Sequence, residues 1–211
     1  MALKRVVVLI SGSGSNLQAL IDSAGSSYEI VAVISNRPGV KGLERAEDAN
    51  IAAETLDHKT FESREAFDSA LLTLIQSYQP DAVALAGFMR ILTPEFVSAF
   101  EGKMLNIHPS LLPKYPGLNT HQRAIDAGDS EGGCTVHFVT AALDGGPPVI
   151  QAAVPIKAED DAAALAKRVL VQEHQVYPIA LDWLCSGELT LNKDSAVLKG
   201  ETLPSTGFDH N

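Results

Sequence analysis

Short apolar runs rich in β-branched residues recur along the chain and alternate with segments of helical periodicity, which narrows the folds available to it. Residues 6–10 are VVVLI and residues 82–86 are AVALA, and such uninterrupted runs are typical of strands buried on both faces. Between them, apolar residues from position 63 to 78 recur at the spacing of one helix face. This alternation predicts an α/β fold, a mostly parallel twisted sheet with helices on both faces and right-handed crossovers.

Further elements continue this alternation, and glycine, proline and polar residues mark the breaks between them. We predict strands at 30–34, 104–107, 134–139 and 149–156, and helices at 15–23, 42–50 and 160–184. Pro178 lies within the last helix and is expected to kink it. The proline-rich residues 108–120 predict an irregular loop. Because no linker interrupts the pattern, we expect one domain over 1–211, ending in a weak hairpin and a frayed, flexible tail from about residue 195.

Charge and hydropathy exclude several classes of partner. The chain has 16 Lys and Arg against 26 Asp and Glu, a net charge of −10, so it lacks the basic footprint of a nucleic-acid-binding protein. The longest apolar runs are about five residues, too short to span a membrane or to form an export signal. Cys134 and Cys185 are far apart and form no CxxC motif, which favours two free buried thiols. We therefore expect a cytoplasmic protein.

A glycine-rich loop, SGSGSNL, follows the first predicted strand at residues 11–17. Such a loop lets the backbone approach a ligand, and the next helix presents free N–H groups to an anion. A dinucleotide site is not supported, because Leu17 occupies the third glycine position and the second strand ends in Ser35 and Asn36 rather than an acid. No Gly-Lys-Ser/Thr follows, which excludes a Walker loop. Two interpretations remain: a small cradle for a monophosphate, or a tight turn without a ligand.

Polar side chains follow the short strand at 104–107. Asn106 and His108 are two positions apart, so both side chains can face one crevice at the carboxyl end of the sheet. Asp144 precedes a Gly-Gly-Pro turn, where it either shapes the turn or folds back onto His108 and favours the imidazolium form. A cationic donor beside an amide donor suits an oxyanion, which points to chemistry at a carbonyl carbon.

Two other sites are conceivable from the same residues. His108, His121, His137 and Asp144 are metal-binding types, but their spacing forms no HxH or HxxxH pair. Ser110 could be a hydrolase nucleophile, but no G-x-S-x-G elbow presents it. We predict that no metal ion is required.

The chain resembles the folate-dependent formyltransferases over about residues 5–190. The shared segments are VLISGSGSNLQALI (8–21), SNRPGVKGLERA (35–46), LAGFMRILTPEFV (85–97), LNIHPSLLPKYPGLNTH (105–121), VHFVTAALDGGP (136–147) and QEH (172–174). The segment 106–117 is typical of the whole group. The loop at 12–16 selects the members that formylate glycinamide ribonucleotide during de novo purine biosynthesis, with 10-formyltetrahydrofolate as co-substrate. The resemblance implies a Rossmann-like formyltransferase fold.

The resemblance also implies residue roles, which we carry over by position. It implies that Asn106, His108 and Asp144 are catalytic. It assigns ribonucleotide binding to Gly14, Ser15, Asn16, Gln172 and Glu173. It assigns folate binding to Arg64, Met89, Arg90, Ile91, Leu92, Asn106, Thr140, Ala141, Ala142, Leu143 and Asp144. The N-terminal half would thus hold the ribonucleotide, and the C-terminal half the folate and the catalytic residues.

Some features differ from the pattern or leave choices open. Asn119 stands where relatives often have histidine, and Leu170 where some are polar, which affects only peripheral contacts. The acceptor could instead be another amine, such as methionyl-tRNA or an amino sugar. The tRNA case is disfavoured by the acidic charge and because about 20 residues after position 190 are too few for an RNA-binding domain. A non-catalytic sensor of nucleotide phosphates also remains open, as does the choice between monomer and homodimer.

Overall fold

The computed structural model describes residues 2–210, in which strands and helices alternate as the sequence predicts. The strands are β1 Lys4–Ile10, β2 Tyr28–Ser35, β3 Ala52–Thr55, β4 Ala82–Leu85, β5 Met104–His108, β6 Glu131–Phe138, β7 Pro148–Pro155, β8 Leu189–Asn192, β9 Ser195–Leu198, β10 Glu201–Thr202 and β11 Phe208–Asp209. The helices are α1 Ser15–Asp22, α2 Lys41–Asp48, α3 Arg64–Ser77, α4 Pro94–Ala99, α5 Thr120–Asp126 and α6 Ala162–Ser186, with a 3-10 turn at His58–Thr60.

The main sheet has eight strands in the order β11-β7-β6-β5-β4-β1-β2-β3. Its pairs are parallel except β5–β6 and β6–β7, which are antiparallel. The predicted mostly parallel sheet is therefore confirmed. A smaller antiparallel sheet joins β10, β9 and β8.

The central strand β1 shows why its apolar run is uninterrupted. Val6, Val8 and Ile10 belong to a core shared with α1 and α6. Val7 and Leu9 point to the opposite face and pack with α3 and α4. Because successive side chains of a strand alternate between faces, both faces of β1 must be apolar when helices cover both. The predicted placement of helices on both faces is confirmed.

The elements that the sequence did not predict are short, and they include β3, α4 and α5. The edge strand β3 has mixed, half-buried residues, so its sequence lacks a clear period. In α4, Pro94 stands at the first helical position and the Thr93 side chain accepts from the Phe96 N–H at 3.3 Å. In α5, Asn119 caps in the left-handed region with φ 57°. Elements this short are set by their caps and tertiary contacts rather than by periodicity.

The long helix α6 continues through Pro178 to Ser186, and the predicted kink stays a prediction. Asp161 caps its start by accepting from the Ala164 N–H at 2.7 Å, and Gly187 ends it with φ 82°. Across residues 2–210, no helix combines the length and the apolar character that crossing a membrane requires.

The two cysteines are free and buried, as predicted. Cys134 lies in β6 and Cys185 in α6. Burial raises the pKa of both thiols, so they stay protonated and unreactive at neutral pH.

The C-terminal segment differs from expectation. The predicted hairpin is present as β9 and β10, but the chain after it forms a further strand, β11, instead of fraying. There β11 pairs in parallel with β7, with Phe208 opposite Ile150, and the Phe208 ring packs edge-on against Trp183 at 5.6 Å. The polar composition of the tail concealed this tertiary contact, so the prediction of fraying was wrong.

Candidate active site

The proposed catalytic side chains meet at the carboxyl end of β5. Asn106 and His108 both lie on this strand, whose neighbour β6 pairs Asn106 with His137 and His108 with Thr135. Asp144 lies in the segment between β6 and β7. The structure therefore places the predicted trio at one edge of the sheet.

His108 is held on both sides of its ring. Its Nε2–H donates to the Tyr115 carbonyl at 2.9 Å, and its Nδ1 lies 3.4 Å from Asp144 Oδ2. The same Oδ2 accepts from the Gly117 N–H at 2.8 Å. Both side chains are nearly buried, with exposed fractions of 7% for His108 and 9% for Asp144. The Asp144 carboxylate thus folds back onto the His108 imidazole. This is the second of the two roles that the sequence left open for Asp144, the first being only to shape the turn.

Two tight turns make this convergence possible. Asp144 adopts φ 49°, a left-handed conformation that Asp tolerates better than most residues. Gly146 lies directly against the Phe138 carbonyl oxygen, where a Cβ would collide. These two turns direct the carboxylate inward, and the second of them requires glycine at position 146.

His137 is a site residue that sequence reasoning considered only as a metal ligand. Its Nε2 lies 3.1 Å from Asn106 Nδ2 and 3.8 Å from Asp144 Oδ1. Its Nδ1 donates to the Phe138 carbonyl at 2.8 Å. Burial lowers its pKa to about 4, so the ring is neutral. The one feature of the sequence that could have pointed to His137 as a site residue is its position as a polar residue within the apolar strand β6.

A cleft opens beside Asn106 and Asp144. It is lined by Leu85, Phe88, Arg90, Ile91, Leu92, Val97, Asn106, His137, Val139, Thr140, Ala141, Ala142, Leu143 and Asp144. Most of the residues predicted to bind folate therefore share one cleft. His108 lies behind Asp144 and does not line it.

Arg64 and Met89 are the two predicted folate residues outside this lining. Arg64 begins α3, is exposed, and lies 3.6 Å from Glu65. Met89 lines a neighbouring pocket, and its N–H donates to Ser11 Oγ at 2.8 Å. Their assignment to folate stays a prediction.

The neighbouring pocket is formed by the glycine-rich loop. Ser11, Gly12, Ser13, Gly14, Ser15, Asn16, Arg37, Ala86, Gly87 and Met89 line it. Helix α1 begins there after Gly14, which adopts φ 71° and would place a Cβ 2.7 Å from the Gly42 Cα. Within residues 2–210, no side chain caps this helix start, so its N–H groups face the pocket as they would face an anion.

Glu173 joins the loop from a distant part of the chain. The Asn16 side-chain N–H donates to Glu173 Oε2 at 2.7 Å, which links α1 to α6. Glu173 is 7% exposed, and burial raises its pKa. The adjacent Gln172 is half-buried on α6 and does not line the pocket. Of these two predicted ribonucleotide residues, the structure brings only Glu173 to the loop.

The metal site and the serine nucleophile that the sequence also left open can be compared with the structure. Over residues 2–210, no three His, Cys, Asp or Glu side chains form a group that could hold a metal ion. Ser110 is buried, and its Oγ donates to the Lys114 carbonyl at 2.7 Å. It is therefore not presented as a nucleophile.

Comparisons with known proteins agree with this geometry. A profile of the formyl transferase family matches residues 4–181. Phosphoribosylglycinamide formyltransferase of Escherichia coli (strain K12) is 52% identical over 206 residues, 96% of this chain and 97% of that protein. The trifunctional purine biosynthetic protein adenosine-3 of Homo sapiens is 48% identical over 196 residues, 92% of this chain and 19% of that protein. The solved phosphoribosylglycinamide formyltransferase of Coxiella burnetii superposes with a TM-score of 0.95 at 46% identity, covering 100% of both chains. This chain therefore belongs to the formyl transferase family.

Proposed function

We propose that the chain transfers the formyl group of 10-formyltetrahydrofolate to the amine of glycinamide ribonucleotide, in de novo purine biosynthesis. The observation that carries the proposal is the inward Asp144 carboxylate, held against His108 and beside Asn106 at the mouth of a cleft. Relatives of nearly the same length are phosphoribosylglycinamide formyltransferases, which supports the choice of acceptor.

The acceptor would bind at the glycine-rich loop. Its phosphate would lie at the start of α1, whose N–H groups and partial positive charge stabilise an anion, with Arg37 on the same pocket wall. This local attraction explains how a chain with a net charge of −10 can hold an anionic substrate. Asn16 and Glu173 would contact the rest of the ribonucleotide.

The formyl donor would bind in the cleft beside Asn106 and Asp144. Ile91 and Leu92 give it an apolar wall, and the segment 140–144 gives it backbone polar groups, a combination that suits a flat pterin ring. Met89 and Arg90 are consecutive but line different pockets, so the segment from 89 to 92 separates the two substrates. This arrangement would present the formyl carbon to the amine.

The reaction would proceed through a tetrahedral intermediate. The amine nitrogen bonds to the formyl carbon, and the carbonyl electron pair moves to oxygen, where an N–H of Asn106 stabilises the charge. Asp144 Oδ1 holds a water that takes the amine proton and returns it to folate nitrogen as the C–N10 bond breaks. Both ring nitrogens of His108 already have partners, so in this geometry the ring holds the Asp144 carboxylate in place rather than offering a free N–H to the substrate.

We also propose that this reaction takes place in the cytoplasm, on small molecules and in a single formyltransferase domain. No metal ion is assigned to it, because His108 and His137 each use both ring nitrogens on protein partners. The acidic charge disfavours nucleic-acid partners.

A folate absorbance assay tests the proposal on the purified chain. Turnover should require both 10-formyltetrahydrofolate and glycinamide ribonucleotide. Asp144→Asn and His108→Ala should each lower kcat by roughly 10²–10³ without changing the circular dichroism spectrum. Asp126→Asn, an exposed carboxylate outside the site, should behave like the wild type.

Three outcomes would overturn this assignment. Formylation of a different amine but not of the ribonucleotide would replace the acceptor. Binding of both substrates without turnover would favour a sensor. Wild-type kcat in either catalytic variant would remove that residue from the mechanism.

A further inference from the structure

His137 is buried at the back of the cleft, beside a residue that the mechanism uses. It lies opposite Asn106 in the β5–β6 register, and its exposed fraction is 2%. The two side chains therefore face each other across a fixed pair of strands. Neither the proton transfer through Asp144 nor the oxyanion contact of Asn106 uses this imidazole directly.

The hydrogen bonds of His137 determine where its proton lies. A carbonyl oxygen only accepts, so the 2.8 Å contact with Phe138 requires a proton on Nδ1. Burial lowers the pKa of the ring to about 4, so we expect a neutral ring at neutral pH. The one ring proton is therefore on Nδ1, and Nε2 carries a lone pair.

This tautomer selects one orientation of the Asn106 carboxamide. At 3.1 Å, Nε2 can accept from the amide N–H but would repel the amide oxygen. The amide nitrogen must therefore point toward His137, with one N–H donated to the ring and the second N–H left for a substrate oxygen.

The charged groups near the ring make its neutrality important. Asp144 Oδ1 lies 3.8 Å from Nε2, and His108 is close enough to disfavour a second positive charge. A protonated His137 would attract the Asp144 carboxylate that faces His108 at 3.4 Å, and it would no longer accept from Asn106.

We propose that His137 is a positioning residue, which accepts one N–H of Asn106 and so aims the other at the oxygen of the migrating formyl group. This inference rests on the proposed function. It predicts that the imidazole acts only through Asn106 and contributes to kcat rather than to substrate affinity.

Two substitutions of His137 separate this role from packing. His137→Phe keeps a flat ring without an acceptor, and His137→Gln keeps an acceptor. His137→Phe should lower kcat by about 10- to 100-fold, since small misplacements of a catalytic group have effects of this order. KM for both substrates should stay within about twofold, and His137→Gln should recover most of the loss.

A double-mutant comparison tests whether His137 affects kcat through Asn106. In an Asn106→Ala background, His137→Phe should lower kcat by less than about twofold more, because the group it positions is gone. An equal loss in both backgrounds, a His137→Phe enzyme within threefold of wild type, or a failure of His137→Gln to recover activity would each overturn the proposal.

Nitrogen NMR of the unmodified chain gives a test that needs no variant. Between pH 6 and 8, His137 should show a protonated Nδ1 and an unprotonated Nε2. The opposite tautomer or a doubly protonated ring would overturn the inference. Because this measurement needs no turnover, it remains decisive even if the wild type fails to formylate the ribonucleotide, which would instead disprove the proposed function.

Discussion

At the scale of single residues, Glu173 combines a proposed binding role with a burial that we expect to destabilise the fold. Its carboxylate is 7% exposed and has one hydrogen bond from Asn16, 157 positions away. Burial raises its pKa although the Asn16 hydrogen bond opposes the shift. The folded chain therefore holds the proton of the Glu173 carboxyl more tightly than the unfolded chain does. The contribution of Glu173 to stability falls as the pH rises from the ordinary carboxyl pKa through the raised pKa of the folded chain.

Replacing Glu173 with Gln should raise stability at neutral pH. The Gln side-chain oxygen can still accept from Asn16, and no charge has to be buried. The melting temperature of Glu173→Gln should exceed that of the wild type at pH 7, and the gain should shrink below the ordinary carboxyl pKa, where Glu173 is protonated in both states. The KM for the ribonucleotide should rise, because the proposed contact loses its charge.

Thermal scans between pH 3.5 and 8 provide the measurement, with steady-state kinetics for KM. Glu62→Gln, an exposed glutamate, is the control and should change neither quantity. A lower melting temperature for Glu173→Gln at pH 7 would show that the buried charge is stabilising.

At the scale of elements, α6 connects the strands that carry the site. The Tyr177 hydroxyl lies 2.9 Å from the Leu85 carbonyl oxygen on β4 and 3.1 Å from the Leu105 carbonyl oxygen on β5. Its single proton is shared between two acceptors, and burial raises the pKa of this phenol well above its usual value. Since Leu105 precedes Asn106, this helix also contacts the strand next to the amide that we propose to be catalytic.

Removing the buried Tyr177 hydroxyl should lower the free energy of unfolding more than removing a tyrosine hydroxyl that water can reach. Tyr177→Phe should lower the free energy of unfolding by about 1–2 kcal/mol, because buried carbonyls lose their donor. Tyr78→Phe, whose hydroxyl donates to a half-buried Glu54 at 2.6 Å, should cost less since water can replace it. Urea unfolding of both variants measures the difference, and equal losses would contradict the argument.

At the scale of the whole molecule, the C-terminal segment closes one edge of the main sheet. Strand β11 covers β7, and two strands, β7 and β6, separate it from β5. Phe208 packs against Trp183 of α6, so the tail ties the last strand to the helix that crosses the site. The tail should therefore contribute to stability without taking part in catalysis.

The variant Phe208→Ala tests whether the tail contributes to stability without contributing to catalysis. It should lower the free energy of unfolding by about 0.5–1.5 kcal/mol, the range for one aromatic pair, while kcat stays at the wild-type value. The chain contains one tryptophan, so the fluorescence of Trp183 should shift to longer wavelength as water reaches it. Phe208→Tyr keeps the ring and should show neither change, and a loss of kcat in Phe208→Ala would place the tail in the catalytic architecture.

Much of the sheet and of the site could be predicted from local sequence. The uninterrupted run at 6–10 and the period of α3 predicted their elements because burial imposes a pattern on consecutive residues. Short elements such as α4 were missed, because six residues hold too little periodicity to stand out. The tail was misjudged because the pairing of β11 with β7 comes from residues far apart.

Local sequence was enough to predict the layered α/β fold, the glycine-rich loop, the trio of Asn106, His108 and Asp144, and the family resemblance that these residues carry. The contacts that occupy both His108 nitrogens, and the contact between His137 and Asn106, could be seen only in the folded chain. The reason is physical: periodicity records which face of an element is buried, whereas a tautomer or an amide orientation depends on which distant groups meet where water is excluded.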